Sequence, residues 1–159
     1  MKTTMDGIQE YCFAAEKTLG KLAKWLRILG FDTFYSPDLS GKQLIDADLK
    51  RVLLTRTRQI RDLTVSKKCI FIVSNDPFEQ LREVIQAAGI IRRDILPFSR
   101  CIRCNALIRR VSKDFVRTMV PEYVWESHDT FRMCALCRRI YWSGSHTRRS
   151  RDIIESLFV

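Results

Sequence analysis

The sequence predicts an α/β fold, a three-layer unit with a mainly parallel sheet followed by a small cysteine-held module. Two observations carry this expectation. Between residues 17 and 89, short apolar runs alternate with amphipathic stretches of helical period, the pattern of strands joined by crossover helices. Beyond residue 100, Cys101-Ile102-Arg103-Cys104 and Cys134-Ala135-Leu136-Cys137 form two Cys-x-x-Cys knuckles separated by 29 residues. The chain accordingly divides into residues 1–98 and residues 99–159.

The elements follow in order. Over 17–29, Leu19, Leu22, Ala23, Leu26 and Leu29 recur at helical spacing and make a core face. Lys17, Lys21, Lys24 and Arg27 recur on the other face, and Gly30 is a natural stop. Such a stripe can track a phosphate backbone, and it serves equally as a solvated helix face. Phe31 to Tyr35 reads as a short strand that Pro37 ends. Lys42 to Lys50 reads as a helix with Leu44, Ile45 and Leu49 inward. Arg51 to Thr55 is a strand buried on both faces. Arg56 to Leu63 is a helical turn bearing Arg56, Arg58 and Arg61, and Lys68 to Ser74 is another buried strand. Asp76 is a good N-cap and Pro77 suits the first position of a helix running to Ala88, with Gly89 ending it. Ile90 to Arg100 is a connector. Within the module, Val111 to Val120 is expected as a short helix that Pro121 ends. Arg138 to Trp142 reads as a strand and Asp152 to Phe158 as a terminal helix.

Two thiolates three positions apart in a tight turn reach one ion, and two such pairs supply the tetrahedral shell of structural zinc. The same spacing serves redox pairs and disulfides, but a redox pair stands alone after a strand, and here the motif occurs twice. A closed four-thiolate site leaves no coordination position for substrate. Cys12 and Cys69 stand apart in apolar surroundings and read as buried thiols, a pattern that fits a reducing, cytoplasmic setting. The first eleven residues show no apolar leader segment, and no run is long enough to span a membrane. The formal charge is +10, which points to a polyanionic partner, nucleic acid being the commonest. The excess lies in both halves: 16 Lys or Arg against 12 Asp or Glu over 1–99, and 12 against 6 over 100–159.

There is no Gly-rich phosphate loop and no nucleophile elbow, and His128 and His146 have no ligand spacing to each other. Carboxylates remain. Metal-dependent nucleases gather several acidic side chains around Mg²⁺ or Mn²⁺, which activates water and steadies the leaving oxygen. Glu16, Asp38 and Asp76 are the candidates, the last at a strand end where active sites of parallel sheets lie. Each has a plainer alternative. Glu16 can favour a helix N-terminus, Asp38 can serve a turn after Pro37, and Asp76 can cap a helix. The interleaved Arg138-Arg139-Ile140-Tyr141-Trp142 can stack bases, or can fill a small ribbon.

Leu19-Gly20-Lys21-Leu22-Ala23-Lys24-Trp25-Leu26-Arg27-Ile28-Leu29-Gly30-Phe31-Asp32-Thr33 closely resembles the signature of the Mut-seven-C RNase domain. Further matches stand at Arg51 to Arg56, at Cys101 to Asn105 and at Ile140 to His146, so the resemblance covers roughly residues 13 to 148. It implies a PIN-like three-layer domain, a zinc ribbon and metal-dependent ribonuclease activity. The acidic pattern departs from the family's. Glu16 stands where an Asp precedes the Leu-Gly-Lys run, Thr57 where a second Asp follows Leu-Thr-Arg, and Ser40 and Gly41 where acidic residues precede the second helix. The basic stripe and the resemblance together lead to the expectation of an RNA-binding protein, with phosphate contacts from Lys21, Lys24, Arg27, Arg56 and Arg58 and with cleavage weak or lost. Glu16 and Asp38 would be the metal ligands of any cleavage, with Asp76 third. The alternative is a protein-interaction module on a non-catalytic PIN-like scaffold, using the ribbon and the Trp142 face.

Overall fold

Four short parallel strands, β3 (Cys12–Ala15), β4 (Asp32–Tyr35), β5 (Val52–Thr55) and β6 (Cys69–Phe71), form the larger sheet in the order β4-β3-β5-β6. The structure is a computed structural model that describes residues 2–3, 9–46, 50–64 and 68–158. Ala15 pairs with Tyr35 on one side and Leu54 on the other, and Thr55 pairs with Phe71. Before the sheet, β1 (Lys2–Thr3) and β2 (Gln9–Glu10) pair antiparallel.

Strand alternation sends successive residues to opposite faces, and both faces are covered. On one, Phe13, Ala15 and Leu54 pack with α1 (Gly20–Ile28) and α4 (Pro77–Ala88), burying Leu19, Leu22, Leu26, Leu81 and Val84 completely. On the other, Ala14 and Leu53 pack with Leu44 of α2 (Gly41–Asp46) and Ile60 of α3 (Arg58–Leu63). This is the expected three-layer arrangement. The core face of α1 is as its spacing predicts, with all five apolar residues fully buried. Cys12–Ala15 lies outside the strands expected from the sequence, yet it is central. Of the helix expected over 42–50, the described part is α2; residues 47–49, with Leu49, lie outside the described residues.

The end of α1 shows how backbone groups left over by a helix are satisfied. The carbonyls of Ile28 and Leu29 accept from the amides of Phe98 (2.8 Å) and Leu96 (3.0 Å). Gly30, at φ +99°, lets the chain turn there, and any side chain at that position would run into the Leu96 carbonyl.

The module is an antiparallel sheet of β7 (Ile108–Val111), β8 (Phe131–Cys134) and β9 (Ile140–Trp142), with α5 (Glu122–Ser127) between β7 and β8. Val116, Val124 and Phe131 form its small core. The helix expected over 111–120 is not there: Val111 closes a strand and a single 3₁₀ turn covers Asp114–Val116. Pro121 does not end a helix but precedes one, since a residue without an N–H costs nothing ahead of the first turn. The terminal helix, α6 (Ser145–Ser156), starts earlier than expected. It brings Ile154 back into the larger core, with Arg92 and Glu155 paired at 2.8 Å outside it.

Candidate nucleic-acid cleft and metal centre

From β3 the chain crosses to β4 on one side of the sheet, then enters β5 on the other. The carboxyl ends of β3 and β5 therefore flank the switch point where parallel sheets bind ligands. Glu16 directly follows β3, and Thr55, Arg56 and Thr57 end β5. Glu16 is buried at 5% exposure, its amide donating to the Leu54 carbonyl at 3.0 Å. Its carboxylate accepts the Thr55 hydroxyl, the Arg56 amide at 3.0 Å and the Thr57 hydroxyl at 2.7 Å. Three donors compensate one buried negative charge.

A cleft of about 500 Å³ is lined by Thr18, Gly20, Lys21, Lys24, Tyr35, Arg56, Asn75, Pro77 and Gln80, and Glu16 is not among its lining residues. Lys21 and Lys24 reach it from the exposed face of α1. Arg56 donates to the Asn75 side-chain carbonyl, while its buried Nε has no hydrogen-bond partner among the described residues. Gly20 is the floor, where any side chain would meet the Tyr35 hydroxyl at 2.7 Å. Arg58 opens α3 as an exposed residue and is not among the residues lining the cleft.

Arg27 does not share the lysines' face. Lying four residues after buried Ala23, it is itself 5% exposed. Its Nε and Nη2 donate to the Thr33 carbonyl, and its Nη1 to the carbonyls of Ile102 (3.0 Å) and Arg103 (2.9 Å). Those two carbonyls belong to the first cysteine knuckle. Asn105, held at φ +68°, continues the joint. It accepts the Thr33 amide at 3.0 Å and donates to Asp32 at 2.8 Å. Arg51 donates to the same Asp32 oxygen at 2.6 Å. Arg100 donates to the carbonyls of Gly30 and Asn105.

The other two acidic candidates stand apart. Asp38 is exposed in the loop after β4. Asp76 caps α4, accepting the amides of Phe78 (2.9 Å) and Glu79 (3.1 Å). Among the described residues, the group of three or more His, Cys, Asp or Glu side chains whose ligand atoms converge is Cys101, Cys104, Cys134 and Cys137. Glu16, Asp38 and Asp76 do not form a second such group.

The four Sγ atoms lie within 4.8 Å of one another, with Cys101 and Cys137 at 3.6 Å and Cys104 and Cys134 at 3.3 Å. Disulfide sulfurs sit at about 2.05 Å, whereas four sulfurs bonded to one zinc lie about 3.8 Å apart. The set therefore fits a metal ion. In each knuckle an amide turns to the first sulfur: Cys104 to Cys101 at 3.5 Å and Cys137 to Cys134 at 3.4 Å. The Tyr141 hydroxyl lies 3.0 Å from the Cys101 sulfur. Burial raises the Cys101 thiol, but bonds from Tyr141 and from the Cys104 and Arg103 amides outweigh it and bring it down to about 6. Burial drives Cys104 the other way.

Residues 11–154 match the family model of the Mut7-C RNAse domain. The chain belongs to the Mut7-C RNase family. No curated protein and no solved structure matches it. The match takes in both the parallel sheet and the cysteine module, so one family description covers the cleft and the four-cysteine cluster. No helix of the described residues is long and apolar enough to cross a membrane. The Mut7-C signature residues have structural duties here: Leu19, Leu22 and Leu26 fill the core, Gly20 admits Tyr35, and Arg27 holds the knuckle. Sequence reasoning missed the joint of Arg27, Asp32, Arg100 and Asn105. A signal existed in Asn105, a residue tolerant of positive φ standing directly after a knuckle cysteine.

Proposed function

We propose that this Mut7-C protein binds RNA through the switch-point cleft, holds zinc structurally in its ribbon, and cleaves phosphodiesters weakly or not at all. The observation that carries this reading is the gathering of Lys21, Lys24 and Arg56 around one cleft, while the Glu16 carboxylate bonded to the Arg56 amide is already engaged. Lys21, Lys24 and the Arg56 side chain line the cleft and offer positive charge to phosphate oxygens. Glu16 gives its oxygens to Thr55, Thr57 and the Arg56 amide, so a Mg²⁺ or Mn²⁺ ion would have to displace those donors. Arg58 extends the same charge outward, and Arg27 serves by fixing α1 against the ribbon. If cleavage occurs, Glu16 and Asp38 are the ligands we assign, with Asp76 third, and Asp38 and Asp76 would have to leave their present places in a loop and a helix cap to join Glu16.

Zinc is the ion we assign to the four cysteines, because an all-thiolate tetrahedral shell is its usual structural site. Zinc there neutralises clustered thiolates and fixes both knuckles. We take residues 1–98 and 99–159 as the two functional halves. A cytoplasmic setting agrees with a site that needs reduced thiols.

The test is binding of labelled single-stranded and hairpin RNA across a salt series. The reading expects affinity that falls with salt and drops in Lys21→Glu/Lys24→Glu, with fewer counterions released. Salt-insensitive binding, or none, overturns it. A second reading, a protein-interaction module, draws on Phe115, Met119, Tyr123 and Leu136, large apolar residues exposed in the ribbon. Unchanged protein association in Tyr123→Ser/Leu136→Ser would remove its support.

A further inference from the structure

A second cavity, of about 370 Å³, opens where the ribbon meets the end of α1. That size falls within the range of small-ligand sites, about 300–1,000 Å³. Phe98, Tyr141 and Trp142 contribute aromatic rings, and Arg100, Arg132 and Arg151 contribute cations. None of its lining residues is acidic. Arg132 and Arg151 are exposed at its mouth; Arg100 is occupied by the carbonyls of Gly30 and Asn105 and adds charge alone.

Phe98 is held there from both sides. It sits at φ +59°, an unfavourable region for a bulky residue. Its amide donates to the Ile28 carbonyl at 2.8 Å, and its carbonyl accepts Arg132 Nη1 at 2.9 Å. The Arg151 guanidinium lies 5.7 Å from its ring centre. A strained residue kept by its surroundings is where function is worth seeking.

Flat aromatic surface, two exposed guanidiniums and no carboxylate call for a ligand with a planar face and a negative charge. We infer that this pocket takes one nucleotide of a bound RNA strand, its base against Phe98 and Trp142 and its phosphate on Arg132 and Arg151. The inference rests on the RNA-binding reading above and adds a second point of attachment to the cleft. Stacking of this kind is sequence-tolerant, so the pocket would grip a single strand without demanding a particular base.

The test uses the full chain, a labelled uridine dodecamer carrying one 5-iodouridine, and uridine monophosphate in parallel. Arg132→Glu/Arg151→Glu also removes the Arg132 bond to the Phe98 carbonyl and the Arg151 contact with its ring, so Arg132→Gln/Arg151→Gln, which loses the charge and keeps amide donors, is measured beside it, and circular dichroism checks both folds. The expected result is about tenfold weaker dodecamer binding and a salt slope shallower by about 0.7, because one phosphate is no longer neutralised. Photocrosslinks should map to Phe98 or Trp142 and persist in Lys21→Glu/Lys24→Glu. Equal binding by both double variants, with crosslinks confined to the cleft, overturns the pocket and leaves the RNA reading standing. No dodecamer binding by the unaltered protein, with monophosphate binding that both double variants lose, assigns the pocket to free nucleotides and overturns its role on RNA. No binding of either probe overturns both.

Discussion

Arg27 Nη1 lies 3.0 Å from the Ile102 carbonyl, so one α1 side chain holds a knuckle of the four-cysteine cluster. The same helix carries Lys21 and Lys24 on the cleft. The geometry of the cleft and that of the ribbon are therefore joined through a single rigid element.

Replacing Arg27 by Ala should leave the carbonyls of Thr33, Ile102 and Arg103 without their donor. The expected loss is about 3 kcal/mol of stability, measured by urea unfolding. Arg27→Lys should rescue little, since an ammonium cannot reproduce the planar fork that spans two chain segments. A wild-type-like unfolding curve for either variant would show the joint to be dispensable.

Asp32 gives a pH dependence. Burial raises its carboxyl, but hydrogen bonds from Arg51 and Asn105 outweigh this and hold it below the usual aspartate value. A depressed folded-state value means stability that is present above the unfolded value, near pH 4, and lost as pH falls through the folded one. Asp32→Asn should therefore be less stable than the parent at pH 7, with the difference closing in acid. Parallel unfolding curves from pH 7 to pH 3 check the sign; a gap that widens in acid contradicts it.

Metal removal should loosen the ribbon before the parallel domain. The core of Val116, Val124 and Phe131 is small, whereas the larger core spans both α1 and α4. Chelation should release one metal per chain, expose four reactive thiols and erase ribbon amide protection in hydrogen exchange. Cys134→Ser should have the same effect. Full retention of metal by that variant would contradict a four-cysteine site.

Thr57 donates to Glu16 where the family resemblance implies a carboxylate. Thr57→Asp replaces that donor with a like charge, at an expected cost of about 2 kcal/mol. Mn²⁺ should recover the loss and raise the melting temperature of this variant, while leaving the parent unmoved. Equal Mn²⁺ responses would mean that Thr57 does not govern metal binding.

Much of this was legible in the sequence where local physics decides the outcome. The α1 core face, the Asp76–Pro77 cap, the Gly89 stop and the cysteine frame each depend on nearby residues, and each is in place. The central strand was not legible, because Cys-Phe-Ala-Ala lacks the β-branched residues that mark a strand and gains its place by pairing on both sides. β7 and β8 were hidden likewise: their arginines face solvent and only the ladder between them reveals the strands. Arg27 misled for a related reason. Its spacing placed it with the lysines, but whether a flank residue meets water or a second sheet is settled by tertiary packing. The joint around Asp32 and Asn105 links residues 73 positions apart, beyond any local signal.

The most direct measurement incubates labelled structured RNA with the metal-loaded protein in Mn²⁺, beside an EDTA lane and a Glu16→Ala lane. The account predicts RNA that is retained in a salt-sensitive complex and stays essentially intact in every lane. Cleavage that requires Mn²⁺ and disappears in Glu16→Ala would contradict it, and would make Glu16 a working metal ligand despite its three hydrogen-bond donors.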